Sequence, residues 1–154
     1  MALKTRVRLP PLPPIFMRLY NANGRLQNRS VSKYLIDWNK KSRSKLQKRV
    51  KDFLKPHWVA HVVYEEFPVY GTRLKVDILN ATIKVAVEVN GPQHSSFNKF
   101  FHGNSRAKYL ASIKRDWQKA NWLEKNGYKL IELEESDMKN LSKEFIETTC
   151  GIKI

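Results

Sequence analysis

Apolar and polar residues alternate along two neighbouring segments near the middle of the chain. The apolar positions are Leu74, Val76 and Ile78 in the first segment and Val85, Val87 and Val89 in the second. Because successive side chains of a β-strand point to opposite faces, this period of two predicts two strands, each with one apolar side. A connection through about residues 81–84 would join them into an antiparallel hairpin.

The polar side of the predicted hairpin carries two acids, Asp77 and Glu88. Antiparallel pairing around this connection places them directly opposite each other, where like charges are destabilising unless a cation lies between them. Oxygen ligands in small number favour Mg²⁺ or Mn²⁺ over zinc. The same pattern also occurs on surface hairpins with one solvated face, so the alternation alone leaves both interpretations open.

The residues after the second strand favour a site. Gly91 and Pro92 interrupt the strand, and Gln93 and His94 follow where the chain leaves the sheet. A histidine at this place can act as a general base toward water or as a ligand. A helix is predicted from about residue 105 to 126, with Asp116 beside its apolar stripe. That stripe is predicted to contain Tyr109, Leu110, Ile113, Trp117, Ala120 and Leu123.

Further elements complete an α/β pattern. A short helix is predicted over 30–38, and an amphipathic helix from Ser44 to about Lys55, ended by Pro56. Strands are predicted over 58–65 and 128–134, and a last helix over 136–149. Helices alternating with strands predict a single α/β domain.

Two stretches, VDILNATIKVAVEVNGPQH and KRDWQKANWLEKNGYKLIEL, resemble the PD-(D/E)XK nuclease superfamily. The similarity covers about residues 44–135 and is closest to the branch of very-short-patch-repair endonucleases, with its E-V-x-G-x-Q-H signature. It implies a restriction-endonuclease-like core, with a central mixed sheet of about four strands flanked by helices. It also implies metal-binding acids at Asp77 and Glu88, the family's histidine after the third strand at His94 and the acid of the following helix at Asp116.

The chain departs from that family pattern at two positions. The lysine of the E-x-K motif is replaced by Asn90, which can bind a metal or a water but carries no positive charge. Lys75 is a candidate substitute, although the interpretation as an ordinary surface lysine is favoured over that role. The glutamate of the first helix corresponds to Gln47, and Glu65 or Glu66 could compensate for its loss.

The positive charge is concentrated in the first third of the chain. The protein has 154 residues and a net charge of +15, and residues 1–51 contain 14 Lys and Arg but one acid, Asp37. Such an imbalance indicates a polyanionic partner, and the interleaved aromatic residues favour nucleic acid. The candidate phosphate contacts are Arg6, Arg8, Lys40, Lys41, Arg43, Lys75, Arg106, Lys108, Arg115 and Lys119. Residues 1–29 are predicted to form a basic, proline-containing arm, and residues 30–154 the domain.

Several classes of protein are disfavoured by composition. Cys150 is the single cysteine, so neither an intrachain disulfide nor a cysteine-rich zinc site is expected. This agrees with a cytoplasmic or nucleoid protein of a bacterial or phage-infected cell. No apolar run approaches the roughly 20 residues of a membrane-spanning helix, and neither a membrane partner nor an organic cofactor is expected.

Together these features predict a Mg²⁺- or Mn²⁺-dependent DNA endonuclease, with branched or mismatched DNA as candidate substrates and a homodimer left open. The predicted metal ligands are Asp77, Glu88 and the backbone carbonyl of Val89, and the further catalytic candidates are Asn90, Gln93, His94 and Asp116. The alternative is a nucleic-acid-binding protein that has lost catalysis on a nuclease-derived fold. An RNA-binding structural protein is a third interpretation, since charge alone does not imply catalysis.

Overall fold

The computed structural model describes residues 12–91 and 106–154. In that part of the chain the strands are β1 (Phe16–Tyr20), β2 (Leu26–Ser30), β3 (Val63–Pro68), β4 (Lys75–Asn80), β5 (Val85–Asn90) and β6 (Lys129–Glu134). The α-helices are α1 (Lys45–Trp58), α2 (Arg106–Lys125) and α3 (Lys143–Cys150), and short 3-10 helices span Ser32–Tyr34 and Glu135–Asn140.

The main sheet has four strands in the order β3-β4-β5-β6. The pairs β3–β4 and β4–β5 are antiparallel, whereas β5–β6 is parallel. A parallel pair needs a crossover connection, and the segment that contains α2 supplies it. The structure therefore confirms the predicted α/β architecture with a mixed four-stranded sheet flanked by helices.

Helix α1 begins where the sequence predicts and ends later. The Ser44 hydroxyl accepts a hydrogen bond from the backbone N–H of Gln47, as a helix N-cap does. The predicted end at Pro56 is wrong, because the helix continues to Trp58. The Trp58 side chain is fully buried, so packing stabilises the last turn despite the proline.

Both faces of the sheet are buried. On one face, Val50, Leu54 and Trp58 of α1 pack with Ile78 and Val87. The other face is covered by α2. There Trp122 and Leu123 pack in a cluster with Tyr64, Leu79 and Ala86. The central hairpin is therefore not a surface hairpin with one solvated face, and any acid on it must be explained as a buried group.

The apolar stripe predicted for α2 contains residues that the structure exposes, and for these residues the prediction is wrong. Leu110, Ile113 and Trp117 are 52%, 48% and 64% exposed, whereas Trp122 and Leu123 are buried. Two tryptophans five residues apart offer competing faces for burial. Trp122 is the buried one, and its indole N–H donates to the carbonyl of Tyr20 at 2.7 Å.

The C-terminal and N-terminal segments also differ from their predictions. The helix expected over 136–149 is split into the 3-10 helix Glu135–Asn140 and α3, which is capped by the Ser142 hydroxyl. The helix expected over 30–38 is reduced to one 3-10 turn, Ser32–Tyr34. Within the segment predicted as an arm, β1 and β2 form a two-stranded antiparallel sheet. Among the described residues, no helix has the length and apolar character needed to cross a membrane.

Candidate active site

The hairpin opens at the two acids. Strands β4 and β5 pair through Asn80–Val85, Leu79–Ala86 and Ile78–Val87, and the next position in this register sets Asp77 opposite Glu88. At this position, hydrogen bonds from the backbone to the two carboxylates replace the hydrogen bonds between the backbones of the two strands. The N–H of Asp77 donates to Glu88 Oε1 at 3.3 Å, and the N–H of Val89 donates to Asp77 Oδ2 at 2.8 Å. The predicted convergence of these two acids is confirmed.

The neighbouring strand is irregular at the same point. Strand β3 pairs with β4 on both sides of Glu66 and Asp77, but these two residues do not pair. Glu66 has a φ of 52°, which is uncommon for a residue other than glycine. Val76 packs with the α2-side cluster and Ile78 with the α1-side cluster, so the prediction that they share a side is wrong. As a result, Asp77 forms no regular backbone pair with either β3 or β5.

Burial raises the pKa of both carboxyl groups. Asp77 and Glu88 are 8% and 7% exposed. For Asp77 the loss of hydration raises the pKa, although the Val89 N–H and Lys119 partly offset it. For Glu88 burial and the adjacent Asp77 together raise the pKa to about 8, against the opposing effect of Lys119. Without a bound metal ion, these raised pKa values favour the protonated form of one of the two carboxyl groups, and a divalent cation bound here would compete with that proton.

Lys119 on α2 is the cation nearest to Glu88 among the described contacts. Its Nζ lies 3.1 Å from Glu88 Oε2, and its side chain is 21% exposed. From the sequence, Lys119 is predicted only as a phosphate contact. The signal that could have found it is its spacing, because Lys119 lies three residues before the buried Trp122 and so shares its helix face.

A cavity of about 550 Å³ leads to the acids from the side of α1. It is lined by Asp77, Glu88, Val89, Asn90, Gly91, Asp116, Lys119 and Glu135, and by residues 43–47 at the start of α1. Asn90 and Asp116 therefore lie at the predicted site, although Asp116 is exposed. Gln93 and His94, predicted to act here, lie outside the described residues.

Glu65 and Glu66 have different surroundings. The Glu65 carboxylate accepts hydrogen bonds from Ser42 Oγ at 2.6 Å, Gln47 Nε2 at 3.0 Å and Lys51 Nζ at 2.8 Å. Lys51 is fully buried, so Glu65 is its counterion. Glu66 accepts from Gln47 Nε2 at 3.2 Å, and its negative charge contributes to raising the pKa of Asp77. Glu66, rather than Glu65, is therefore close enough to influence the acid pair.

A second cavity, of about 560 Å³, adjoins the first. Its basic lining consists of Arg43, Arg73, Lys75, Arg115 and Lys119, with Glu66, Leu74, Ser112 and Asp116 completing it. Arg43, Asp116 and Lys119 line both cavities. Lys75, which the sequence offers as a substitute for the missing lysine, lines this second cavity, the basic groove, and not the cavity of the acids, whereas Lys119 lines both.

The remaining predicted phosphate contacts are distributed over the surface. Lys40, Lys41, Arg106 and Lys108 are exposed. The carbonyl of Lys40 accepts a hydrogen bond from Lys51 Nζ at 3.0 Å, so its backbone has a structural role as well. Arg6 and Arg8 lie outside the described residues.

The acid pair offers a metal ion a small set of oxygen donors. In residues 12–91 and 106–154, no three or more His, Cys, Asp or Glu side chains are grouped so that they could hold a metal ion. Magnesium, however, is commonly bound through one or two carboxylates, with waters and substrate phosphates completing its shell. The Asp77–Glu88 pair, with oxygen donors beside an open cavity, fits that kind of site.

Part of the chain is similar to a viral protein. A curated protein of Invertebrate iridescent virus 3, "Uncharacterized protein 033L", is 42% identical over 66 residues. The match covers 43% of this chain and 34% of the viral protein, so the chain spans about a third of that relative's length. No family model matches the chain. No solved structure matches it either.

Proposed function

We propose that this protein is a divalent-metal-dependent endonuclease that hydrolyses phosphodiester bonds in DNA. The observation that carries the proposal is the buried Asp77–Glu88 pair, placed where β4 and β5 separate. A core gains nothing from two adjacent carboxylates with raised pKa values, and perturbed acids of this kind are characteristic of functional sites. The restriction-endonuclease-like character of the core belongs to the same proposal.

In this mechanism Asp77, Glu88 and the Val89 carbonyl would hold Mg²⁺ or Mn²⁺. The bound ion would lower the pKa of a water and offset charge on the reacting phosphate. The acid pair contributes by releasing its shared proton when the cation enters. Because that proton competes with the metal, metal affinity should rise between pH 6 and pH 8.5.

Other side chains would orient the water and move its proton. Asn90 lines the cavity beside Glu88, where its amide can hold a water. Gln93 is the second candidate for this orientation, and His94 is the candidate general base. Asp116 would orient His94 from α2.

Lys119 supplies the positive charge that Asn90 cannot. It contacts Glu88 directly and also lines the basic groove, so its ammonium group can move from the carboxylate to a phosphate oxygen once a metal replaces it. A lysine that reaches the site from a helix would thus compensate for the missing strand lysine.

The basic groove supports a nucleic acid as the substrate. Phosphates are bound mainly by Arg and Lys, and five such residues line a groove that shares three residues with the cavity of the acids. Bound along this groove, a strand would carry one phosphate to Asp77 and Glu88. The net charge of +15 supports the same choice of partner.

The test is nicking of supercoiled plasmid by the pure protein in Mg²⁺, Mn²⁺ or EDTA. The wild type should cleave only with metal. Asp77→Asn and Glu88→Gln should abolish cleavage without weakening DNA binding, since each removes a negative charge. Asp52→Asn is the matched control, because Asp52 is a solvent-exposed acid on α1. Equal cleavage by all four proteins would refute the assignment.

The second candidate function is metal-independent nucleic-acid binding without catalysis. The observation that favours it is that Lys119 Nζ lies 3.1 Å from Glu88 Oε2, where its charge can offset that of the acid pair. In that case the protein would bind DNA equally in Mg²⁺ and EDTA and would leave the plasmid supercoiled.

A further inference from the structure

The β1–β2 hairpin presents aromatic residues to solvent on one face. Its register pairs Phe16 with Ser30, Arg18 with Asn28 and Tyr20 with Leu26, so these six residues share a face. Phe16, Tyr20 and Leu26 are 61%, 40% and 42% exposed. Three exposed apolar side chains with an arginine and an asparagine among them form a mixed surface, which we call the ribbon face.

The hairpin is fixed to the domain by its other face and by its ends. Leu19 is buried, and the backbone of Tyr20 bonds to Trp122 of α2 and to Asn126 just after that helix. The Tyr20 carbonyl accepts from Trp122 Nε1 at 2.7 Å, and its N–H donates to Asn126 Oδ1 at 2.8 Å. The Arg29 guanidinium lies 4.8 Å from the ring centre of Tyr70. The ribbon face is therefore held at a fixed position rather than on a loose arm.

The positive charge of the hairpin indicates an anionic partner. Residues 12–30 contain Arg18, Arg25 and Arg29 and no acid, which makes the hairpin complementary to an anion. Exposed aromatics that flank an arginine suit a ligand with both flat rings and phosphates. Single-stranded nucleic acid has both, because its unpaired bases are free to stack on aromatic side chains.

The spacing on β1 fits two stacked bases. Phe16 and Tyr20 are four residues apart on one strand, which is about 13 Å, and Arg18 lies about 7 Å from each. Each ring could take one base while Arg18 contacts a phosphate between them. The hairpin also adjoins the β3–β4 connection, since the N–H of Ala22 donates to the Tyr70 carbonyl at 2.7 Å. That connection leads to Arg73 of the basic groove.

We propose that the ribbon face is a binding site for unpaired bases, and that the protein engages single-stranded nucleic acid through Phe16, Arg18 and Tyr20. As a binding site it stands independently of catalysis. Only the further step, that the bound strand is an unpaired part of the nuclease substrate, rests on the proposed function.

The experiment measures affinity by fluorescence anisotropy, in EDTA, for two labelled strands of equal length. One is an oligothymidine and the other is an abasic strand with the same number of phosphates. The wild type should prefer the oligothymidine by about tenfold or more, because each stacked base contributes measurably to affinity. The variant Phe16→Leu/Tyr20→Leu keeps apolar bulk without the rings, and its preference should fall to about twofold or less.

Two further variants separate stacking from charge. Arg18→Gln should weaken binding of both strands by similar factors, since it removes a phosphate contact. Trp117→Ala, which removes another exposed aromatic residue, should change neither affinity. The far-ultraviolet circular dichroism of each variant confirms its fold. If Phe16→Leu/Tyr20→Leu is misfolded, the single variant Tyr20→Leu takes its place. Its preference for the oligothymidine over the abasic strand should then be lost, in contrast to that of the wild type.

Equal affinity of the wild type for the two strands would overturn the proposal, as would an unchanged preference in Phe16→Leu/Tyr20→Leu. A tenfold loss in Trp117→Ala would place the stacking surface on α2 instead. Because EDTA prevents metal-dependent cleavage, these outcomes are independent of the plasmid assay. If the protein prefers the oligothymidine but never nicks DNA, the ribbon face remains a base-binding site and the nuclease assignment is wrong.

Discussion

Replacing Glu88 with Gln should stabilise the metal-free protein at alkaline pH. The pKa of Glu88 is raised from its ordinary value of 4.5 to about 8, chiefly by burial and then by Asp77. In the folded state this carboxyl group therefore keeps a proton that the unfolded chain releases. Folding stability must then fall as the pH rises from about 4.5 to about 8, and be fully present below that range. A glutamine has no such dependence.

The size of the effect follows from the same values. At about 1.4 kcal/mol per pKa unit, the full shift corresponds to about 5 kcal/mol, which is an upper limit. Asp77 can take up part of the proton, and Glu88→Gln loses the ion pair with Lys119, so we expect a gain of about 2–5 kcal/mol at pH 8.5. Near pH 4.5 the gain should vanish.

Urea unfolding in EDTA at pH 5 and pH 8.5 measures this difference. The quantity to compare is the free energy of unfolding of the variant minus that of the wild type, because groups remote from the acid pair titrate alike in both proteins and cancel. Glu124→Gln, at an exposed position on α2, is the matched control and should show no such pH dependence. A Glu88→Gln variant that is destabilised equally at both pH values would refute the reasoning.

Three further predictions concern neighbouring residues. Lys51→Met should destabilise the protein by about 3–5 kcal/mol in urea unfolding, because it leaves Glu65 partly buried without its counterion; a change below about 1 kcal/mol would contradict this. Arg73→Gln should lower the slope of log affinity against log salt for duplex DNA by about 0.9, the value for one phosphate contact; an unchanged slope would remove Arg73 from the interface. Lys119→Gln should reduce nicking by 10²-fold or more, and Asn90→Lys in the same protein should restore part of it if the charge is what matters; no rescue would mean that Lys119 acts in another way.

The sequence predicted the hairpin well because its local pattern is strong. Valine alternation over β5 and the turn before Val85 placed Asp77 opposite Glu88, as the structure confirms. The pattern failed one residue away, at Val76, since the irregularity opposite Glu66 depends on the neighbouring strand. Alternation within one segment carries no information about where a ladder between two segments is interrupted.

The contacts of α2 and the first hairpin could not be predicted from local pattern. The helix has apolar residues on more than one side, and only the packed sheet selects Trp122 over Trp117 for burial. From its sequence pattern Lys119 is consequently predicted only as a phosphate contact, although it contacts Glu88. The β1–β2 strands contain arginine and asparagine, so their alternation is weak, and their docking depends on Trp122 and Asn126 a hundred residues away.

The proposed role of Asp77 and Glu88 is to hold the cation that DNA cleavage requires. The decisive experiment measures bound Mn²⁺ by electron paramagnetic resonance at pH 8, with plasmid nicking followed in the same samples. Nicking should rise in proportion to the Mn²⁺ bound by the wild type, and Asp77→Asn and Glu88→Gln should lose both together. Nicking that continues after either variant has lost its Mn²⁺, or Mn²⁺ binding that neither variant alters, would contradict this role.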